Sequence, residues 1–166
     1  MPIQPCIPAT DGKVVNAWDA LSHRATIGKK VVILGGGEVG CELAELLAGL
    51  GKEVVIIEIL QEVATNMEPR GRRLLLERLH ELGVQLLTQS SVSRVNERAV
   101  FYDQGGMKHR MDMVDTVITA VGSAANNPLV QALKGMEVAI YPIGDCVKPR
   151  RILEAVREGF ETAYAI

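Results

Sequence analysis

The sequence predicts an α/β fold: a Rossmann-like parallel sheet with helices on both faces, a three-stranded antiparallel meander, and a closing C-terminal helix. Three observations carry this. Val31-Val32-Ile33-Leu34 runs through Gly35-Gly36-Gly37-Glu38-Val39-Gly40 into a helical pattern; a second apolar run, Val54-Val55-Ile56-Ile57, stops at Glu58; and short segments with turn residues between them occupy positions 92–111. Strands alternating with helices imply parallel pairing through crossovers, whereas short segments joined by tight turns imply hairpins.

Residues 1–27 read as an arm. Pro2, Pro5 and Pro8 keep a regular element from forming, so the first ten residues are expected to be extended and exposed. A turn at Thr10-Asp11-Gly12 leads to a strand or short helix over 14–21. Gly28-Lys29-Lys30 then turns into the first buried strand. Gly35, Gly37 and Gly40 fill the three slots of G-x-G-x-x-G: a tight turn, a backbone able to touch pyrophosphate, and close packing of helix on strand. The helix over 38–50, ending at Gly51, aims free N–H groups and a positive dipole end at the same place. Glu58 lies about 20 positions beyond the glycines, where the fingerprint puts the acceptor for a ribose 2′-hydroxyl. A carboxylate repels a 2′-phosphate, and residues 59–62 contain no Arg or Lys, so NADH is favoured over NADPH.

A polar, irregular stretch follows to Met67. Pro69 suits an early helical position, and Leu74, Leu75, Leu79 and Leu82 recur at helical spacing up to Gly83. Residues 84–88 form a third strand, completing β-α-β-α-β with right-handed crossovers. Segments 92–96, 99–103 and 107–111 form the meander, with turns at Asn96-Glu97 and Gly105-Gly106. Residues 115–122 return as a strand whose Ala120-Val121-Gly122 end belongs at the carboxyl edge beside the first glycine turn. Asn126-Asn127-Pro128 breaks the chain, and a loop leads through 138–143 to Gly144-Asp145. Ile152, Val156, Phe160 and Ala163 then mark an amphipathic helix over 151–165.

Composition narrows the function classes. At 166 residues and 48% hydrophobic, the chain can bury a core; its apolar runs are too short for a membrane span, and its start lacks a signal-peptide pattern, so cytoplasmic residence is expected. A net charge of −2 with 4% aromatics provides no basic stacking face for nucleic acid. Cys6, Cys41 and Cys146 are widely spaced without C-x-x-C, pointing to reduced thiols rather than a disulfide framework or a metal site. His23, His80 and His109 are scattered and read as surface or turn residues. Cys41 is expected to pack, although the nearby helix N-terminus could lower its pKa. Glu42 could face a nicotinamide or stand exposed on the first turns of its helix. No catalytic acid, base or nucleophile is assigned.

Order and motifs together resemble the pyridine-nucleotide-dependent flavoprotein reductases with two dinucleotide-binding domains. The last part is more specific: Ile143-Gly144-Asp145-Cys146-Val147-Lys148-Pro149-Arg150-Arg151-Ile152 and Ala155-Val156-Arg157-Glu158-Gly159-Phe160 are similar to the C-terminus of NADH:flavin oxidoreductases of the old-yellow-enzyme type, the group of 2,4-dienoyl-CoA reductase and trimethylamine dehydrogenase. The resemblance spans nearly the whole chain, including Pro8-Ala9-Thr10-Asp11-Gly12 of the arm. It implies a linker arm (1–27), an NAD(P)H-binding domain (28–137) and a partial FAD-binding segment (138–166) that includes the C-terminal helix. Gly35, Gly36, Gly37, Val39 and Gly40 would line the NADH pyrophosphate, with Glu38 at the start of the same helix. Glu58 would hold the adenosine ribose, Ala120, Val121 and Gly122 would pass close to the nucleotide, and Gly144 with Asp145 would meet FAD, Asp145 at a ribitol hydroxyl. Without the resemblance, Asp145 reads as a helix cap or a turn residue.

The family pattern has parts that this sequence lacks: a first flavin-domain strand with its own glycine fingerprint, a barrel carrying FMN, and cysteines for an iron–sulfur cluster. The chain is therefore expected to be the C-terminal piece of a reductase that passes hydride from NADH to flavin, with the missing flavin and barrel domains as its partners. The apolar face of its last helix would then need an unusual packing or a second copy of the chain. The alternative is a stand-alone nucleotide-binding or redox-sensing module without catalysis. A third class, with a redox disulfide beside the flavin as in dihydrolipoamide dehydrogenases, is disfavoured by the C-terminal motif.

Overall fold

The strands of the main sheet are short, largely apolar runs with glycine or polar residues at their carboxyl ends. The structure, a computed structural model, describes residues 1–10 and 12–166; the middle of the expected Thr10-Asp11-Gly12 turn lies outside the described residues. By their contacts these residues divide into two units, Pro2–Gly122 and Ser123–Ile166 with Met1.

In the first unit, β1 (Val14–Asn16), β2 (Lys30–Leu34), β3 (Glu53–Ile57), β4 (Gln85–Leu87) and β8 (Thr116–Thr119) form one parallel sheet in the order β1-β8-β2-β3-β4. A second sheet, β5 (Ser90–Val95), β6 (Ala99–Gln104) and β7 (Met107–Asp112), is the antiparallel meander, with a register shift between Val92 and Arg94. The helices are α1 (Ala17–Leu21), α2 (Glu38–Gly49) and α3 (Pro69–Glu81). α3 starts where its sequence provides a start: Pro69 sits in the first turn and the Glu68 carboxylate accepts the Gly71 N–H at 3.0 Å.

The parallel sheet, the crossover helices and the meander are as expected, but helices on both faces are not. α1, α2 and α3 share one face, where Cys41, Leu43, Leu47, Leu75 and Leu79 pack on Val31, Ile33, Ile56 and Ile118. The meander covers the other face, packing Val95 and Val100 on Val32, Leu34, Val55 and Val117. Crossover handedness explains the arrangement. The steps β2-α2-β3 and β3-α3-β4 move in one direction, so right-handed crossovers put both helices on one side; the return from β4 to β8 moves the other way and crosses the opposite side. Of the four leucines expected to form the stripe of α3, only Leu75 and Leu79 are buried, and Leu74 and Leu82 are each 41% exposed.

The arm is not free. The Pro8 carbonyl accepts the Val95 N–H at 2.9 Å, the Ile3 N–H donates to the Gly122 carbonyl at 3.0 Å, and Ile7 packs on the meander-side core. Proline removes donors, but it leaves carbonyl acceptors and the apolar side chains between prolines available for docking.

The second unit contains α4 (Pro128–Ala132), a 3₁₀ turn over Gly144–Cys146, and α5 (Ile152–Ala165). Across 123–166 only Gly144 is buried. α4 occupies a stretch where the sequence predicts a loop; Pro128 in its first turn is the helix-start signal there. The apolar run 138–143 forms no strand.

Candidate dinucleotide site

The site is built at the carboxyl edge of the sheet, where β2 and β8 end side by side with Leu34 in register with Thr119. Gly35 follows at φ +103°, donating its N–H to the Ile57 carbonyl at 2.9 Å; a Cβ there would lie 2.6 Å from the Ala120 carbonyl oxygen. A Cβ on Gly40 would strike the Gly35 carbonyl oxygen. These two glycines are thus required by how closely turn, helix and β8 approach one another. Gly37 differs: a Cβ there would meet nothing within 4 Å, so its surface faces open space on the side where the helix begins.

α2 starts at Gly37 with no side-chain cap. The first amides of a helix have no partner within it, and together with the dipole they form a receptor for an anion. Glu38 and Val39 are exposed on this first turn, and Gly40 is buried beneath it. A bare helix start, an open glycine and a close turn fit the pyrophosphate of a dinucleotide.

Glu58 closes the adjacent side. It is only 8% exposed. Its Oε2 accepts the Gly36 N–H at 2.6 Å and its Oε1 accepts the Leu60 N–H at 2.8 Å. Each ionised oxygen keeps further lone-pair capacity, so the carboxylate can brace the turn and still accept a hydroxyl.

Ala120, Val121 and Gly122 continue from β8. The Ala120 N–H donates to the Leu34 carbonyl at 2.8 Å, and Gly122 adopts φ +103°. The structure therefore brings together Gly35 to Gly40, Glu58 and the 120–122 turn. Gly144 and Asp145 belong to the other unit. There, Gly144 at φ +66° donates its N–H to Glu158 Oε2 at 2.7 Å, and exposed Asp145 accepts the Arg150 N–H at 3.2 Å. Arg151, not Asp145, is the N-terminal cap of α5.

Cys41 corrects one expectation. The helix start does not make its thiol acidic: burial, and then the charge of Glu58, push it up to about 11, and its Sγ donates to the Gly36 carbonyl at 3.4 Å. Burial away from water disfavours the thiolate at this site. Glu42, His23 and His80 are exposed, whereas His109 stacks on Tyr102 at 5.1 Å.

Sequence reading missed the role of the stretch after Glu58. Val63 and Ala64 are buried against Gly36: the Ala64 N–H donates to the Gly36 carbonyl at 2.6 Å, and a Cβ on Gly36 would collide with Val63 Cγ1. Polar neighbours hid this. The only sequence signal is Val63-Ala64, an apolar pair inside a polar run.

Comparison with known proteins agrees with this geometry. Residues 7–159 match the pyridine nucleotide-disulphide oxidoreductase family. The chain belongs to that family. It is 31% identical over 98% of its length to a metal reductase of Desulforamulus reducens and 32% identical over 99% to an NADH oxidase of Thermoanaerobacter brockii. A solved 2-naphthoyl-CoA reductase superimposes on all of it with a TM-score of 0.88 at 28% identity. This family member spans 29% of the first relative, 26% of the second and 26% of the solved chain. Among the described residues no helix is long and apolar enough to cross a membrane.

Proposed function

We propose that residues 28–137 bind NADH, in preference to NADPH, and that 138–166 contribute part of an FAD site in a reductase of the old-yellow-enzyme type. The observation that carries the reading is the uncapped start of α2 beside the open face of Gly37, with the Glu58 carboxylate held at the next strand end. The amides of α2 take the pyrophosphate, Glu58 accepts a ribose hydroxyl and disfavours a 2′-phosphate, and the 120–122 turn borders the rest of the nucleotide. Bound NADH supplies a hydride that flavin accepts in the complete enzyme; this chain contributes placement rather than acid–base chemistry. Asp145 is suited to a ribitol hydroxyl because it is exposed on a turn fastened by Gly144 and Arg150. FMN and an iron–sulfur cluster belong to the proposed barrel portion.

Calorimetric titration of the chain with NADH, NADPH and FAD tests this reading. Saturable NADH binding with weaker NADPH is expected. If neither nucleotide binds, the cradle is not a working site in this chain and the proposal fails.

A further inference from the structure

We propose that Arg72, which no fingerprint includes, is a positioning residue for the dinucleotide cradle: from α3 it holds the β3–α3 connection against the Gly36 peptide, fixing the turn that presents the amides of α2. The inference rests on the nucleotide reading above and deepens it.

Gly36 is a hub. Its N–H is held by Glu58 Oε2, and its carbonyl accepts both the Ala64 N–H and the Cys41 thiol. Two of these three restraints sit on rigid elements, the end of β3 and the second turn of α2. The third sits on the connection 59–68, which has no regular structure until Glu68 caps α3. Ala64 there adopts φ +52°, a left-handed conformation that an alanine holds only when its surroundings impose it. Ala64 is nonetheless 1% exposed and Val63 3% exposed, so something must fasten this segment.

Arg72 does so. Its Nε donates to the Val63 carbonyl at 2.9 Å, and its Nη2 pairs with Glu62 Oε2 at 2.8 Å. The guanidinium thus grips both residues ahead of Ala64 with its fixed fork of donors. Arg72 lies in the first turns of α3, which Leu75 and Leu79 anchor in the core. The line of force is continuous: α3, Arg72, the Val63 carbonyl, the Ala64 N–H, the Gly36 carbonyl. Glu62 is 60% exposed against 27% for Arg72, so the ion pair is screened and the hydrogen bond to the Val63 carbonyl is the working contact.

The test compares Arg72→Met, Arg72→Lys and Glu62→Gln, reading NADH and ADP affinity by calorimetry and amide hydrogen exchange without nucleotide. Arg72→Met is expected to weaken both ligands by about tenfold, a loss comparable to one good hydrogen bond. It should also speed exchange at Gly36 and Ala64 while leaving Val32 and Ile33 in β2 protected. Arg72→Lys, which keeps charge but not the fork, should recover only part of the affinity, and Glu62→Gln should stay within about twofold of the unsubstituted chain. Arg72→Met binding within twofold overturns the inference, as does exchange rising equally at Gly36 and in β2, the mark of general loosening. If the unsubstituted chain binds neither ligand, the functional reading has failed; faster exchange confined to Gly36 and Ala64 would then still establish the clamp, and unchanged exchange would remove it.

Discussion

The two units handle the same kind of pattern in opposite ways. In the Pro2–Gly122 unit, the amphipathic helices α2 and α3 bury Leu43, Leu75 and Leu79 almost completely. In the Ser123–Ile166 unit, α5 has as clear an apolar stripe, yet Ile152 is 83% exposed and Phe160 72%. Helical periodicity states which face of a helix seeks burial; it does not state whether this stretch of chain contains the surface that buries it. What differs is the partner. α2 and α3 face a sheet built from their own neighbours in sequence, whereas the apolar run 138–143 before α5 pairs with no strand.

The largest effect should come from cutting the core on one side of this contrast and the matching stripe on the other. Leu79→Ala is expected to destabilise the chain by about 2–5 kcal/mol, through lost burial and the cavity left behind. Phe160→Ala should stay within about 0.5 kcal/mol, as for other exposed positions. Urea denaturation of both variants checks the pair, and a comparable loss in each would mean that the face of α5 is covered.

A second contrast lies within the cradle. Gly40→Ala puts a methyl against the Gly35 carbonyl and should cost about 1–3 kcal/mol of stability, as overpacking does. Gly37→Ala enters open space but places alanine at the N-cap of α2, where it is disfavoured relative to glycine, so it should cost about 0.5–1 kcal/mol, less than Gly40→Ala, while NADH binding weakens. If Gly37→Ala leaves affinity unchanged, the open side of that glycine is not where the nucleotide sits. Glu58→Ala follows in size. It should weaken NADH by about 1–3 kcal/mol, as for a hydrogen bond to a charged group, and narrow the preference over NADPH. Calorimetry with both nucleotides reads the two effects together, and equal losses for both would assign Glu58 to bracing the turn alone.

These sites differ in how legible they were. The glycine turn, Glu58 and the order of strands could be read directly, because turn chemistry and strand periodicity are local: Gly35 must adopt φ +103°, and β2 is four-fifths buried residues in a row. The side of the sheet taken by each layer was not local, since it depends on the direction of successive crossovers. The Arg72 contact was less legible still. An arginine on a charged helix carries no sign that its Nε finds the Val63 carbonyl nine residues earlier. That the apolar stripe of α5 stays exposed could not be read from its own pattern at all.

The smallest effect concerns the second unit, whose few fixed contacts converge on Glu158. The Gly144 N–H, and then the Arg150 guanidinium, hold its carboxyl below the usual glutamate range. A folded-state pKa below the unfolded one means the charged form favours the folded arrangement. The stabilisation is therefore present above the ordinary glutamate value of about 4.3 and is lost as pH falls through the lower folded value. Because the side chain is part-exposed, the effect should be local: the Gly144 amide, well protected at neutral pH, should exchange faster relative to its intrinsic rate as the solution is acidified, while β2 amides do not change. Glu158→Gln should abolish that pH step and leave the amide weakly protected throughout. A Gly144 amide whose protection does not depend on pH would show that the turn bearing Asp145 is shaped by its backbone alone, with the positive φ of Gly144 and not the Glu158 carboxylate setting its form.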